Sequence, residues 1–481
     1  VGTSKTPFLS GLHALPSSGR FTPVDISVIM NPHSDCSGSV PFAELIDQTR
    51  QAMDQAQSIV IYGVGNIFPK VWSFVHETGN AAKVSAILDD QPGKGRMTRG
   101  TLRVQPPTRS VLENADIIVF TFPTYEGCLR RLGLDPGRPG IVRGDLLDYA
   151  LTLSRRELNT ISWIITSACN SRCNICGYWR SPQVHLDIDR VADTINAYPR
   201  TNHYIAGGET YCHPQWQTLF QRIRVKDDIL VLTNGLLPEQ IWKSCDQHGI
   251  VKFSVSLDGG PRAYQRIRGV DGYDRVVRTL RGLVKRPGTT VIVAIVIGPF
   301  TELEDFEHVE ALCRELGLYL APIIYREWQQ FEGLPTAEIM LKKLPQFSEL
   351  LHRSPVVSDL DRRFCDTYVT WYHGRLRAPC TSGYTKVCIN ERGQVTWCTD
   401  KLDPQHHLGN LYEASLPDIM ASERFYKIAA ELRDCNDCWN RSFRRFDVSC
   451  HWDRIAARLG NDNPPPQTGP ARPSPTQPAT A

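Results

Sequence analysis

The sequence predicts an α/β protein: a partial barrel of six βα units, with a smaller α/β unit before it and a cysteine-rich segment after it. Three observations carry this expectation. Apolar runs of strand length recur between 161 and 325: "ISWIITSAC" (161–169), "HYIAGGE" (203–209), "ILVLTNG" (229–235), "VKFSVSLDG" (251–259), "TVIVAIVIG" (290–298) and "YLAPIIY" (319–325). Helix-length stretches such as 303–316 alternate with them, which reads as βα units with a parallel sheet. The runs "SIVIYGVGN" (58–66), "KVSAILDD" (83–90) and "ADIIVFTFP" (115–123) repeat that alternation on a smaller scale. From about 365 the element signals shorten, and Cys365, Cys380, Cys388, Cys398, Cys435, Cys438 and Cys450 crowd together. In barrels the chemistry sits at the C-terminal ends of the strands, and several of these runs end in polar residues.

At 481 residues the chain is too long for one ordinary domain. The expected divisions are an irregular Gly-, Pro- and Ser-rich segment over 1–45 and an α/β domain over 46–155. The barrel follows over 156–355, then a small domain over 356–460 held by metal rather than by a large core. Residues 461–481, Pro-rich and nearly uncharged, read as a disordered tail.

Hydrophobic residues make up 41% of the chain, enough for real cores, and the formal net charge is only +3. No basic block or aromatic-plus-basic stripe reads as a nucleic-acid surface. The longest apolar run, "VIVAIVIG" (291–298), has strand length and cannot span a bilayer. The opening "VGTSKTPFLSGLHALPSSGRF" lacks a charged start followed by an apolar core, so a cytoplasmic, reducing location is expected. Fifteen cysteines in such a compartment read as metal ligands or catalytic thiols rather than disulfides.

The stretch "SACNSRCNICGYW" (167–179) places Cys169, Cys173 and Cys176 in a C-x3-C-x2-C spacing at the end of the first barrel strand. Thiolates are soft ligands suited to iron–sulfur clusters and zinc. A structural zinc takes four protein ligands, and the next cysteine, Cys212, is far along the chain. Three thiolates would instead fill three corners of a four-iron cube and leave one iron open to a bidentate small molecule. Further on, Gly207 and Gly208 in "GGET" (207–210) let backbone approach a ligand closely, and Glu209 can accept from an ammonium. Tyr211 and Cys212 follow this turn and are expected to face the cavity as catalytic residues. His213 is expected to cap the next helix.

This set of motifs resembles the radical S-adenosylmethionine (SAM) superfamily over roughly 160–330. Cys169, Cys173 and Cys176 match its cluster-binding loop, and "GGET" its glycine-rich motif, which meets the methionine end of SAM. "TNG" (233–235), with Thr233 and Asn234, matches the end of the third strand. "VSLDG" (255–259) matches the fourth, with Ser256 and Asp258 at its C-terminal end. Arg268 in "RIRG" (266–269) matches the arginine expected to hold the SAM carboxylate through a bidentate pair. One departure is Ile175, where the family often has an aromatic residue before the third cysteine. Tyr178 or Trp179 is the expected cover for the adenine. The resemblance implies reductive cleavage of SAM to a 5′-deoxyadenosyl radical that takes hydrogen from an unactivated carbon, with the protein supplying position and exclusion of water. It also implies a one-electron donor such as flavodoxin or ferredoxin.

"CTSGYTKVCINERGQVTWC" (380–398) followed by "CNDC" (435–438) resembles the SPASM/twitch extension of the same superfamily. A hairpin is expected around Gly393. Only Cys450 follows "CNDC", which favours the shorter twitch form with one auxiliary four-iron cluster. Its expected ligands are Cys380, Cys398, Cys435 and Cys438, with Cys388 or Cys450 as possible substitutes. A zinc ribbon on the same four cysteines is the alternative. In the N-terminal unit, "YGVGN" with Asp89 and Asp90 further on is a partial dinucleotide fingerprint, but Phe68 stands where the third glycine belongs. A degenerate Rossmann-like scaffold is the reading, similar to domains attached to sugar-modifying enzymes.

These resemblances imply a radical SAM oxidoreductase acting on a small polar natural-product intermediate, an amino sugar or aminocyclitol. It would turn a secondary alcohol into a ketone, as in aminoglycoside pathways of antibiotic biosynthesis. Redox-neutral diol dehydration by a lyase, modification of a ribosomal peptide, and a non-catalytic iron–sulfur protein are the alternatives.

Overall fold

A computed structural model describes residues 42–450, apart from 66, 91–97, 100, 123–124, 156, 326–335, 378–379 and 434. The chain divides into Val1–Ser39, which lies outside the described residues, and Val40–Ala481. The expected tail over 461–481 and nearly all of the expected irregular segment over 1–45 also lie outside them. The last residues of that segment already belong to the helix Phe42–Gln55.

The first sheet holds β1 (Ile59–Tyr62), β2 (Val84–Leu88), β3 (Thr98–Arg99), β4 (Leu102–Gln105), β5 (Ile117–Phe120) and β6 (Ile141–Arg143) in the order β3-β4-β2-β1-β5-β6. Every pairing is parallel except β3 with β4. Helices cover both faces. Met53, Phe74 and Leu151 pack on one side and Leu112 and Leu129 on the other. Burial from both sides explains why β1 and β5 read as unbroken apolar runs. The order reverses between β1 and β5, where such sheets place ligand crevices.

At that crevice the chain engages its own polar groups. The Asp89 carboxylate accepts from the Val64 amide at 2.8 Å. Asp90 accepts from the Tyr62 hydroxyl at 2.5 Å and from Arg131 at 3.3 Å. Gly63 has φ +104°, and a Cβ there would come within 2.3 Å of the Thr121 hydroxyl. Its freedom serves close packing of two strand ends, as a degenerate Rossmann-like scaffold requires.

The second sheet has nine strands: β7 (Thr160–Ile164), β8 (Asn202–Ala206), β9 (Ile229–Thr233), β10 (Lys252–Ser256), β11 (Thr290–Ile297), β12 (Tyr319–Ile324), β13 (Lys386–Ile389), β14 (Gln394–Thr396) and β15 (His407–Asn410). From β7 to β12 the strands are parallel and lie in chain order, a partial (β/α)6 barrel. Ile161, Trp163, Ile205, Phe253 and Val255 are buried in the core. The alternating residues Ser162, Tyr204, Ser254 and Ser256 point to the other face and are half-buried. Arg441, paired with Asp361, lies within electrostatic reach of Tyr204 on that face.

On the other side of β7, β13 pairs in parallel, Lys386 to Ile389 against Thr160 to Trp163. β14 and β15 continue antiparallel, so the hairpin expected around Gly393 extends the barrel sheet. The cysteine-rich segment therefore has no core of its own. Val387, Val395, Trp397, Phe425 and Trp439 belong to the same hydrophobic cluster as the barrel strands. The sequence expectation of a region held by metal rather than by a large core missed this continuity, because strand pairing across more than 200 residues leaves no local signal.

The N-terminal sheet is tied to this seam by buried polar groups. Lys70 Nζ donates to Thr152 Oγ1 at 2.6 Å, and Asn159 Nδ2 donates to Asp148 Oδ2 at 2.8 Å. The Asn159 amide in turn donates to the Thr385 carbonyl at 2.7 Å. Burial pushes the Asp148 carboxyl up to about 7 and lowers Lys70. Asp148 thus keeps a proton in the fold where the unfolded chain has lost it. Its contribution to stability falls as pH rises from about 4 to about 7 and is flat above. Asp148→Asn removes this dependence. The urea midpoint of the variant relative to the native chain is expected to rise between about pH 5 and about pH 7.5. A difference that stays constant with pH contradicts the assignment.

Candidate active site

β7 ends at Ile164, five positions before Cys169, so the three cysteines lie in a loop beyond the strand. Local bonds fix the base of that loop. Ser167 Oγ donates to the Pro182 carbonyl and accepts from the Val184 amide, both at 2.7 Å. Further along, the loop is laced to the end of the helix Pro261–Arg268. The Arg172 amide donates to the Arg268 carbonyl at 3.1 Å and the Asn174 amide to the Ile267 carbonyl at 3.0 Å. Cys173 sits between these two bonds and is buried. Cys169 and Cys176 are half-buried.

Donors surround the thiols. The Ser171 amide points at Cys169 Sγ at 3.4 Å and Asn234 Nδ2 at 3.9 Å. Arg268 Nη1 lies 3.9 Å from Cys173 Sγ, and the Tyr178 amide donates to Cys176. Without iron, burial pushes the Cys169 thiol up to about 12, so ligation has to displace a proton. Once deprotonated, the sulfurs meet hydrogen-bond donors and a guanidinium. That donor set suits an anionic iron–sulfur cluster.

Gly207 and Gly208 bring the end of β8 against the cysteine loop itself. A Cβ on Gly208 would meet the Ala168 and Ser167 carbonyls at 2.5 and 2.6 Å. The Gly208 amide donates to the Thr166 carbonyl at 2.7 Å and the Glu209 amide to the Ala168 carbonyl at 2.8 Å. The two glycines thus allow close approach to the backbone of the cysteine loop.

Glu209 is buried, and its carboxylate accepts from Thr233 Oγ1 at 2.8 Å, the Asn234 amide at 2.7 Å and the Tyr211 amide at 3.2 Å. Burial raises it to about 6. A carboxylate has about four acceptor positions, so an ammonium can still be received. Asn234 Nδ2 also donates to Asn170 Oδ1 at 2.7 Å, tying the third strand end to the loop. Thr233 and Asn234 thereby position Glu209 and the cysteine loop.

Arg268 Nε donates to Asp258 Oδ2 at 2.5 Å, and the Val296 amide donates to Asp258 Oδ1 at 2.7 Å. Asp258 is fully buried with both oxygens engaged, so it acts through Arg268, whose Nη1 reaches Cys173 of the loop. Ser256 is half-buried at the end of β10, in register with Ala294.

Two expectations on the next turn separate. Tyr211 does not face the cavity. It is buried against Trp216 and Phe220, with its hydroxyl 2.7 Å from Ser244 Oγ. The 3₁₀ turn Thr210–Cys212 rotates it into the core. Cys212 is half-buried and receives the Asn170 amide, which places it beside the cluster loop, and burial raises its thiol to about 11. His213 is buried, with Nδ1 accepting from the Gln215 amide at 3.0 Å just before the next helix. Tyr178 reaches Cys388 and Glu391 of the C-terminal hairpin as well as Cys176. Trp179 donates to the Cys173 carbonyl at 3.0 Å and has the Arg172 and Arg180 guanidiniums over its ring.

The second cysteine group gathers where the hairpin meets the helix Arg441–Cys450. Cys435 lies within electrostatic reach of Cys380, Lys401 within reach of Cys435 and Cys398, and Arg444 within reach of Cys380 and Cys438. Cys388 is fully buried on β13 beside Cys398. The side chain of Cys450 lies outside the described residues. Among the described residues no three His, Cys, Asp or Glu side chains converge tightly enough to hold a single metal ion. A four-iron cube takes one thiolate per iron, so its ligands need not converge. Sequence reasoning missed Arg444, Lys401 and Glu391. Nothing in "RSFRRF" marks one arginine as buried, and Glu391, whose Oε2 is buried without a hydrogen bond, sits in an ordinary turn.

Two family models match this architecture. The Radical SAM superfamily matches residues 163–313, and the SPASM iron–sulfur cluster-binding domain matches 380–439. The chain carries a radical SAM domain and a SPASM domain. These domains imply SAM, a [4Fe–4S] cluster and auxiliary iron–sulfur clusters. A probable GTP 3′,8-cyclase of Methanocaldococcus jannaschii is 25% identical over 175 residues, covering 34% of this chain and 58% of that protein. The GTP 3′,8-cyclase of Actinobacillus succinogenes is 28% identical over 143 residues, covering 27% and 43%. The chain thus spans about half the length of the curated relatives it matches. Among solved structures, Streptococcus suis SuiB bound to S-adenosylmethionine aligns with a TM-score of 0.46 at 14% identity, covering 59% of this chain and 71% of that one. The anSMEcpe structure with AdoMet and the Cp18Cys peptide aligns with 0.44 at 16% identity, covering 63% and 99%. No helix among the described residues is long and apolar enough to cross a membrane.

The Asp258–Arg268 pair yields a prediction. Asp258→Asn keeps the shape but weakens the hold on the guanidinium. Hydrogen bonds to charged groups contribute about 1.5–3 kcal/mol, so SAM affinity measured by calorimetry on reconstituted protein is expected to fall roughly tenfold or more, with iron content unchanged. Unchanged affinity would contradict the reading that Asp258 holds Arg268 in place for the SAM carboxylate.

Proposed function

We propose that this protein is a radical SAM oxidoreductase that converts a secondary alcohol of an amino sugar or aminocyclitol into a ketone. The observation that carries this reading is the second cysteine group. Cys380, Cys398, Cys435 and Cys438 offer four protein ligands, which would leave a cluster there with no open iron for substrate. A closed cluster suits electron transfer. When bound, SAM and the first cluster supply a hydrogen-abstracting 5′-deoxyadenosyl radical, and the auxiliary cluster supplies a one-electron acceptor.

The balance is that of an alcohol oxidation. One hydrogen atom leaves the carbinol carbon and ends in 5′-deoxyadenosine. One proton leaves the hydroxyl, and one electron goes to the second site. In this reading Cys169, Cys173 and Cys176 hold the first cluster, Glu209 and Arg268 receive the amine and carboxylate of SAM, and Asp258, Thr233 and Asn234 position them. The hydroxyls of Ser162, Tyr204, Ser254 and Ser256, on the face opposite the helices, support a polar substrate. A small-molecule substrate and an external one-electron donor complete the set of partners.

The test is turnover of reduced, reconstituted protein with SAM and a panel of aminocyclitols and amino sugars, followed by mass spectrometry. The expected result is 5′-deoxyadenosine together with a product that has lost two hydrogens. A product that has lost water instead contradicts oxidation and moves the reading to dehydration. Failure to cleave SAM in a fully clustered sample overturns the enzymatic reading.

A further inference from the structure

The helix Arg441–Cys450 directs two charged side chains, Arg444 and Asp447, one turn apart, at the second cysteine group. Both are fully buried. Asp447 accepts from the Thr381 amide at 3.2 Å and the Thr381 hydroxyl at 2.5 Å, which fixes the residue next to Cys380. Arg444 donates from Nη1 to the Cys435 carbonyl at 3.3 Å and from Nη2 to Asn436 Oδ1 at 3.1 Å. Its side chain also hydrogen-bonds Cys380 and lies within electrostatic reach of Cys438. The indole of Trp439 covers it, with the guanidinium carbon 5.4 Å from the ring centroid. Two of the four cysteines thus bond one desolvated guanidinium, Cys380 through its thiol and Cys435 through its carbonyl, and a third, Cys438, lies within its electrostatic reach. Across the group, Lys401 pairs with Asp437 at 2.9 Å and reaches Cys398 and Cys435.

A fully buried arginine is costly unless strongly compensated. Asp447 compensates part of this one. Thiolates and an added electron on the same site would compensate more, and in a low-dielectric interior the attraction grows with the charge facing it. Hydrogen bonds to cluster sulfurs and nearby charge are levers on reduction potential.

We propose that Arg444, assisted by Lys401, is the positioning residue that raises the reduction potential of the auxiliary cluster, so that it accepts the electron released on substrate oxidation. This rests on the reading of Cys380, Cys398, Cys435 and Cys438 as ligands of such a cluster. Arg444 favours the state with one more negative charge, and Lys401 adds a smaller, more solvent-screened contribution. The role requires no contact with substrate.

The experiment is a redox titration followed by electron paramagnetic resonance on the Cys169/Cys173/Cys176→Ala chain, where the auxiliary cluster is the remaining one. Arg444→Gln, Arg444→Lys and Lys401→Gln are compared in that background, with iron measured in each. The expected result is a midpoint shifted to lower potential in Arg444→Gln, largely recovered in Arg444→Lys, and lowered less in Lys401→Gln. Retained iron with an unmoved midpoint in Arg444→Gln overturns the proposal and leaves Arg444 a structural residue. Where Arg444→Gln fails to hold iron, Lys401→Gln decides, and an unmoved midpoint there overturns it. Absence of iron from the triple variant itself would instead remove the auxiliary-cluster reading, and this proposal with it.

Discussion

Strand β7 is the constraint on which the rest of the structure depends. It pairs with β8 on one side and β13 on the other, both in parallel. Its C-terminal end feeds the loop of Cys169, Cys173 and Cys176, and the C-terminal end of β13 lies beside it. Parallel pairing puts both strand ends on one edge of the sheet, with Tyr178 of the loop within electrostatic reach of Cys388 and Glu391 of the hairpin. Two cysteine groups far apart in sequence are thereby carried by one continuous sheet and one continuous core. The N-terminal sheet joins the same seam through Asn159, which bonds both Asp148 and Thr385.

The second theme is how charge is held once water is excluded. At the first site Asp258 orients Arg268, and Arg268 faces Cys173. At the second, Asp447 anchors Thr381 while Arg444 faces Cys380. Each site thus has a buried carboxylate and a buried guanidinium beside the sulfurs. Buried ionic groups are retained when partners satisfy them, and here the Asp258 carboxylate serves Arg268 while the Cys435 carbonyl and Asn436 Oδ1 serve Arg444. Packed side chains of this kind orient metal ligands.

Much of this was legible in the sequence, and the exceptions have physical causes. Strands buried on both faces read as continuous apolar runs, so the six barrel strands and β1, β2 and β5 were visible. Their C-terminal ends were overestimated, because "TSAC" and "GGE" carry on with residues compatible with a strand after the ladder has stopped. The Cys169–Cys176 loop and Gly207–Glu209 were visible because their chemistry depends on spacing over a few residues. Tyr211 was misread because a single 3₁₀ turn decides which way it points. The partners of Arg268 and Arg444 were invisible because they depend on packing between distant elements. The hairpin around Gly393 was visible, but its pairing with β7 was not.

The proposed function requires two separate four-iron sites, one with three thiolates and one with four. Iron per chain after anaerobic reconstitution tests it most directly, in the native protein and in the Cys169/Cys173/Cys176→Ala variant. The expected result is about eight irons falling to about four. About four irons falling to none would contradict it, leaving the C-terminal cysteines without a four-iron cluster and the oxidation without its electron acceptor.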